Sequence, residues 1–264
     1  VMPDPAIKTI ELPGRLTVQY AEHGRGTPLL CLHGYSDSWY SYDALIKHLP
    51  EGIRAIALTQ RGHGDSDKPE GGYSMADFAG DALALLDVLG IERAAVVGHS
   101  MGSFIAQELA LSHPERVSHT VLIGSATTAD NAVIRELVTA VAELRDPIER
   151  AFVHEFQVST LHQPIAESVL STIVDESMKM PARVWAAAVA GLVAYDPGER
   201  LSGLAAPTLL IWGDKDEIFT RSEQDALVAR LPQATLNVYS DAGHGTHWEQ
   251  PARAAGEIAA FMAG

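Results

Sequence analysis

The segment from Arg93 to Ser112 constrains this chain more than any other. It reads RAAVVGHS and then MGSFIAQELALS. The first half is a short apolar run rich in Val and Ala, the length of a buried strand, and in the second Phe104, Ile105, Leu109 and Leu111 recur at helical spacing. Between them, Gly98-His99-Ser100-Met101-Gly102 forms a Gly-x-Ser-x-Gly turn. A strand that reverses into a helix over so short a turn leaves no room for side chains at its flanks, so small residues stand there. The middle residue is lifted out of the sheet, its hydroxyl exposed and the helix N-terminus beneath it. Alone the pattern is common; between a strand and a helix it is specific.

The rest of the chain alternates around that unit. IKTIELP and RLTVQYAEHG read as two strands about a turn at Pro13-Gly14, and PLLCLHG as a buried strand. Trp39 to Leu49 looks helical, IRAIAL is the next strand, and TQRGHGDSDKP is a loop dense in Gly and polar residues. After Tyr73-Ser74 comes an amphipathic helix with Phe78, Ala82, Leu85, Leu86, Val88 and Leu89 on its apolar side, closed by Gly90. RVSHTVLIGSA, PTLLIWG and TLNVYSDAG are further strands, with helices expected over 223–231 and 252–262. Such alternation predicts an α/β fold, a mostly parallel central sheet with helices on both faces. It lapses over 129–195, where four stretches show helical periodicity and no strand is evident; Pro147 and Pro181 fall where a first helical turn tolerates proline. The reading is a core formed by 1–128 and 196–264, with 129–195 as a helical cap over the carboxyl ends of the strands, where open α/β sheets bind ligands.

Composition excludes several function classes. Thirty-four acidic against nineteen basic residues give a net charge of −15, which argues against binding nucleic acid or an anionic membrane. No run is long and apolar enough for a membrane span. The stretch VMPDPAIKTIE has no basic region leading into an apolar one, so no secretory leader is read there and the cytoplasm is the expected compartment. The single cysteine, Cys31, lies in an apolar run and reads as a buried, inert thiol.

A serine hydroxyl is a poor nucleophile until a base takes its proton and a carboxylate orients that base. Two later loops offer both groups. PTLLIWG runs into Asp214-Lys215-Asp216, and TLNVYS runs into Asp241-Ala242-Gly243-His244, each at the carboxyl end of a strand. The chain order Ser, Asp, His is the one expected of this architecture.

Over nearly its whole length the chain resembles the α/β-hydrolases. It is most similar to the small capped branch holding esterases, enol-lactonases, acyl-homoserine lactonases, C–C bond hydrolases and cofactor-free perhydrolases. The matching pieces are LLCLHGYSDS, RGHGDSDKP, VVGHSMGS, LIWGDKDEIF and DAGHGTHWEQP. The resemblance implies Ser100 as nucleophile, Asp216 as acid and His244 as base, with the backbone N–H groups of Tyr35 and Met101 as oxyanion donors after His33-Gly34. Asp214 and Asp130 are the rival acids and His247 the rival base, the last read as a surface or pocket residue. His33 and His99 read as buried histidines bracing their loops. Departures from the family are Thr59 where an Asp is frequent, Ser103 in place of a second Gly, and HGYS without the usual Pro or Gly.

A serine at the elbow argues against haloalkane dehalogenases and capped epoxide hydrolases, which use a carboxylate there. What remains implied is a carboxylic ester or lactone hydrolase acting on a small molecule, with no cofactor and no metal. His244 and His247 have an H-x-x-H spacing but no third ligand is evident. Candidate substrate-pocket residues are His33, Phe152, Phe156, Trp185 and Leu192. No basic cluster in the cap offers a grip for a carboxylated substrate, which disfavours C–C cleavage of aromatic ring-fission products. The alternatives are a slow-turnover receptor on the same scaffold, perhydrolysis, or C–C cleavage. The oligomeric state is not encoded in any pattern read here.

Overall fold

The computed structural model describes residues 4–264. Strands β1 (Ala6–Leu12), β2 (Leu16–His23), β3 (Thr27–Leu32), β4 (Ile53–Leu58), β5 (Ala94–His99), β6 (Val117–Ile123), β7 (Thr208–Gly213) and β8 (Thr235–Tyr239) form one sheet. Their spatial order is β1-β2-β4-β3-β5-β6-β7-β8. β1 and β2 pair antiparallel, as do β2 and β4, and all later pairings are parallel. The predicted α/β class, a mostly parallel sheet covered on both faces, is the fold observed.

Period-2 alternation explains the two-sided core. Leu30 and Leu32 of β3 pack on one face with Val96, Leu122 and Leu210. Leu29 and Cys31 pack on the other with Val97, Val121 and Ile211. The second face is covered by α1 (Asp43–Ile46) through Leu45 and Ile46, and by α10 (Pro251–Ala263) through Ala254 and Ile258. The first face carries α2 (Met75–Val88), α3 (Met101–Ser112) and α8 (Arg221–Arg230), through residues such as Phe78, Phe104 and Leu227. Between β6 and β7 lie α4 (Ala132–Ala142), α5 (Arg150–Ser159), α6 (Glu167–Ser177) and α7 (Ala182–Val193), while α9 (Thr246–Glu249) follows β8.

Local chemistry sets the helix ends. Ser74 and Asp77 form a reciprocal capping box at the start of α2. At its end Gly90 has φ +66, with Gly90 N–H bonded to Asp87 O and Ile91 N–H to Leu86 O, the Schellman arrangement. Two expectations are corrected. Trp39 to Leu49 is a 3₁₀ turn over Trp39–Tyr42, opened by the i→i+3 bond from Ser41 N–H to Ser38 O and capped by the Ser38 and Thr59 hydroxyls, followed by a single helical turn. Pro181 is the residue before α7 and Pro147 precedes α5, so neither occupies a first helical position.

The strand order reverses direction between β3 and β5. Chain leaving β3 goes to β4 on one side and chain leaving β5 goes to β6 on the other, which opens a crevice at their carboxyl ends. The loops bordering that crevice stand on buried histidines. His33 Nε2 accepts the Gln60 N–H (3.0 Å) while Nδ1 lies 2.8 Å from Gly34 O, and its ring packs edge-on against His63. His99 stacks on both His244 and His247, at 4.9 and 4.3 Å between ring centroids. His247 is neither a surface nor a pocket residue: it is fully buried, with Nε2 3.1 Å from the Ser41 hydroxyl. The α9 turn aims it inward.

These features generate two predictions. A Cβ on Gly191 of α7 would lie 1.9 Å from the Tyr73 carbonyl oxygen. Alanine gains about 1 kcal/mol of helix propensity there, but the backbone clash outweighs it at about 1–3 kcal/mol, so Gly191→Ala lowers the urea midpoint. A raised midpoint contradicts the packing. The second concerns acid. Burial holds His247 down to about 3 and His63 down to about 4, against an ordinary value of 6.5. Between those values the unfolded chain binds more protons than the folded one, so this contribution is intact above about pH 6.5 and is lost as pH falls. Each ring loses about 1 kcal/mol per pH unit. Replacing His247 with Gln makes the stability lost between pH 7 and pH 5 smaller by about 2 kcal/mol; an unchanged difference contradicts it.

Candidate active site

The elbow carries the first candidate side chain. Ser100 follows β5 with φ 51 and ψ −120, a region that non-glycine residues enter at a cost of about 1–3 kcal/mol. The surroundings hold it there. Its N–H donates to Ile123 O (2.9 Å), and its carbonyl accepts from both the N–H (2.8 Å) and the hydroxyl (2.6 Å) of Ser103. The residue that departs from the family pattern thus braces the turn. A Cβ on Gly98 would meet Gly102 O at 2.1 Å, and one on Gly102 would meet Leu32 O at 2.0 Å. The two flanking positions therefore admit glycine alone.

The other two groups arrive on adjacent loops. A Cβ on Gly213 would lie 2.2 Å from the carbonyl oxygens of Ala242 and Gly243, so the loop after β7 and the loop after β8 are in backbone contact. Asp216 Oδ1 accepts N–H bonds from Ile218 (2.8 Å) and Phe219 (3.0 Å), and Oδ2 lies 2.8 Å from His244 Nδ1. Both side chains are out of solvent. With an acceptor-only carboxylate at Nδ1, that nitrogen bears the proton and Nε2 bears the lone pair. His244 Nε2 is buried with no hydrogen-bond partner. Gly124 leaves space for the imidazole, since a Cβ there would come 2.8 Å from its Cε1 and Nδ1.

The rival residues are engaged elsewhere. Asp214 accepts the Asp241 N–H at the surface, Asp130 pairs with Arg135 in solvent, and His247 is bonded to Ser41. Cys31 is buried and burial pushes its thiol up, away from the reactive thiolate. Among the described residues no group of three or more His, Cys, Asp or Glu side chains could hold a metal ion, and no helix is long and apolar enough to cross a membrane.

Ser100 and His244 line one cavity of about 300 Å³. Tyr35 of the loop after β3 borders it, and Met101 follows Ser100 directly as the first residue of α3, where an N–H has no acceptor within the helix. From α4–α7 come Ile134, Phe156 and Leu192. Three of the five predicted pocket residues are not in the lining. His33 lies behind its loop, and Trp185 is fully buried, its Nε1–H donating to Met180 O. Phe152 packs edge-on against Trp185 instead of facing the cavity. The reason is geometric: Tyr35, Phe152 and Phe156 all set ring edges against Trp185, so this indole is the anchor of a cluster, and of its members Tyr35 and Phe156 border the cavity.

Sequence reasoning missed the polar part of the wall. Asp37 lines the cavity, buried, and accepts from Gln157 Nε2 at Oδ1 (3.0 Å) and from the Ser41 hydroxyl at Oδ2 (3.2 Å). Burial pushes its carboxyl up to about 7, against the pull of those donors and of His244. Gln157, on α5, also reaches the Ser36 and Ser177 hydroxyls at 3.1 and 2.9 Å. No lysine or arginine lines the cavity; its other ionisable groups are Glu217, His99 and His244 together with Tyr35.

Comparison with known proteins identifies the fold family. A 2-hydroxy-6-oxononadienedioate/2-hydroxy-6-oxononatrienedioate hydrolase of Burkholderia vietnamiensis is 30% identical over 262 residues, covering 94% of this chain and 91% of that protein. The dihydrolipoyllysine-residue acetyltransferase component of the acetoin cleaving system of Cupriavidus necator is 28% identical over 89% of this chain, which spans only 63% of that protein's length. Among solved structures, a thermophilic esterase from Thermogutta terrifontis superposes with a TM-score of 0.84 at 26% identity, with 98% of each chain covered. Residues 27–251 match the model of the alpha/beta hydrolase fold family, and the chain belongs to that family.

Proposed function

We propose that this chain is a serine hydrolase that cleaves neutral carboxylic esters or lactones through an acyl-enzyme on Ser100. The observation that carries the reading is the His244 Nδ1 to Asp216 Oδ2 contact of 2.8 Å, with Nε2 left without a partner at a cavity shared with Ser100. The Ser100 hydroxyl attacks the carbonyl while Nε2 takes its proton. Nε2 has no partner in this structure, and catalytic hydrogen bonds of resting hydrolases often tighten only with substrate bound. The Asp216 carboxylate, held by two backbone N–H groups, stabilises the imidazolium. The Tyr35 and Met101 N–H groups receive the oxyanion, each worth about 10²–10³-fold in rate. His244 then protonates the leaving alcohol and activates the water that releases the acyl group.

The cavity wall supports a neutral substrate. The Burkholderia vietnamiensis relative is named for a dicarboxylate. Here Asp37 and Glu217 face the cavity and no cation does, so a carboxylated substrate would meet like charge without compensation. Residues 129–195 act as a cap, because α4, α5 and α7 supply the apolar side of that wall.

Initial rates on p-nitrophenyl acetate, butyrate and octanoate, beside lactones of graded acyl length, test the proposal. Steady multiple turnover is expected, and Ser100→Ala lowers it by about 10⁶-fold with an unchanged circular dichroism spectrum. A sub-stoichiometric burst and nothing more identifies a receptor instead. A Ser100→Ala variant that keeps more than a small fraction of the rate removes Ser100 from the nucleophile's role.

A further inference from the structure

Asp37 is a buried acid on the cavity wall whose role neither the triad nor the oxyanion donors explain. It sits two residues past Tyr35 and is 3% exposed. Its own N–H donates to Gly34 O, and Oδ2 lies 3.1 Å from where a Cβ on Gly34 would stand. The carboxyl is therefore packed against the residue that precedes the proposed oxyanion donor. It has no ion-pair partner among the described residues, and its two donors, Gln157 and Ser41, are neutral. An ionised carboxyl offers about four acceptor sites, and these two bonds, with the Gly34 backbone that also favours its charged form, leave room for a further donor. The titratable groups around it are His244 and His99 on the cavity wall, His247 beyond Ser41, and Glu176 of α6 across a narrow crevice. An asparagine would keep the bond from Gln157 and could donate to the Ser41 hydroxyl in place of the other, without the desolvation that a buried acid suffers. An acid in this place is suited to a partner that arrives with the substrate.

We propose that Asp37 is a specificity-determining residue that accepts a hydrogen bond from an N–H or O–H group on the acyl part of the substrate, close to the scissile carbonyl. The substrate class is then neutral esters or lactones bearing an amide or hydroxyl donor at the carbon next to the reacting carbonyl. Position and chemistry both point there. The acid stands beside the oxyanion loop, so only the first atoms of the acyl group are within its reach. The same wall, without a cation, excludes a carboxylate there and leaves a donor as the complementary group. This inference rests on the hydrolase reading above.

Three methyl esters test it: those of N-acetylglycine, which has the N–H, of N-acetylsarcosine, in which a methyl replaces that hydrogen, and of butyric acid. Methanol release is followed at about pH 8.5, above the value to which burial pushes the carboxyl. The wild-type protein is expected to favour N-acetylglycine over N-acetylsarcosine by about 10- to 100-fold in kcat/KM, the worth of one hydrogen bond to a charged group. In Asp37→Leu that ratio collapses toward one, and in Asp37→Asn, which keeps an acceptor, it is intermediate. A wild-type ratio near one overturns the inference without any variant having to fold, provided butyrate is turned over. Equal losses on all three esters in Asp37→Leu, with the ratio kept, show a structural role and overturn it too. Failure of the wild-type protein on every ester, butyrate included, overturns the hydrolase reading and this inference with it.

Discussion

Everything in the site depends on one buried contact, the carboxylate of Asp216 against the imidazole of His244. Neither group meets water, so the ion is tolerable only because three N–H donors converge on it, two from the backbone and one from the ring. Removing any donor would leave a buried acceptor unpaired, at about 1–3 kcal/mol. The arrangement follows from the fold. Parallel β7 and β8 deliver their carboxyl-terminal loops side by side, and the close approach at Gly213 fixes the distance between them. The space left at Gly124 then sets where the ring can lie.

The helical insertion is bonded to two of the loops that carry the candidate site, those after β3 and β8. Gly245 N–H donates to Thr160 O, and Glu249 accepts both the Gly243 N–H and the His162 N–H, so the segment after α5 clasps the His244 loop from both sides. Tyr35 donates its hydroxyl to Trp185 O, and Gln157 reaches Ser36 and Asp37. The loop after β3 is therefore held from α5 and α7 together. In this geometry the insertion supplies apolar wall and also holds the loops that carry the proposed base and the proposed oxyanion donor. A change in the insertion far from Ser100 can accordingly reach the chemistry through the backbone.

What the sequence disclosed and what it withheld divide along physical lines. The turn at Ser100 was legible because close backbone contacts force glycine at 98 and 102, and such forced positions leave a mark in the chain. The strand-end loops bearing Asp216 and His244 were legible for a related reason: parallel strands end on one edge, so residues just past them converge. Asp37 and Gln157 left no such mark. An Asp in a polar loop and a Gln on an amphipathic helix look the same whether they face solvent or each other, and only the docking of α5 on the loop after β3 decides. Trp185 shows the converse. Its helical spacing fits pocket and core equally, and the ring edges packed around it settle the matter. His247 was misplaced because a single short helical turn sets its direction, and sequence does not fix an element that brief.

The central claim, that a buried carboxylate and imidazole activate the hydroxyl of Ser100 above every other nucleophile in the chain, is open to direct chemical labelling. Brief exposure to diethyl p-nitrophenyl phosphate, followed by mass spectrometry of the intact chain and of its peptides, reads which hydroxyl is activated. The account predicts a single phosphoryl adduct, on the peptide that holds Ser100. An unlabelled chain, or an adduct carried by any other residue, would contradict it.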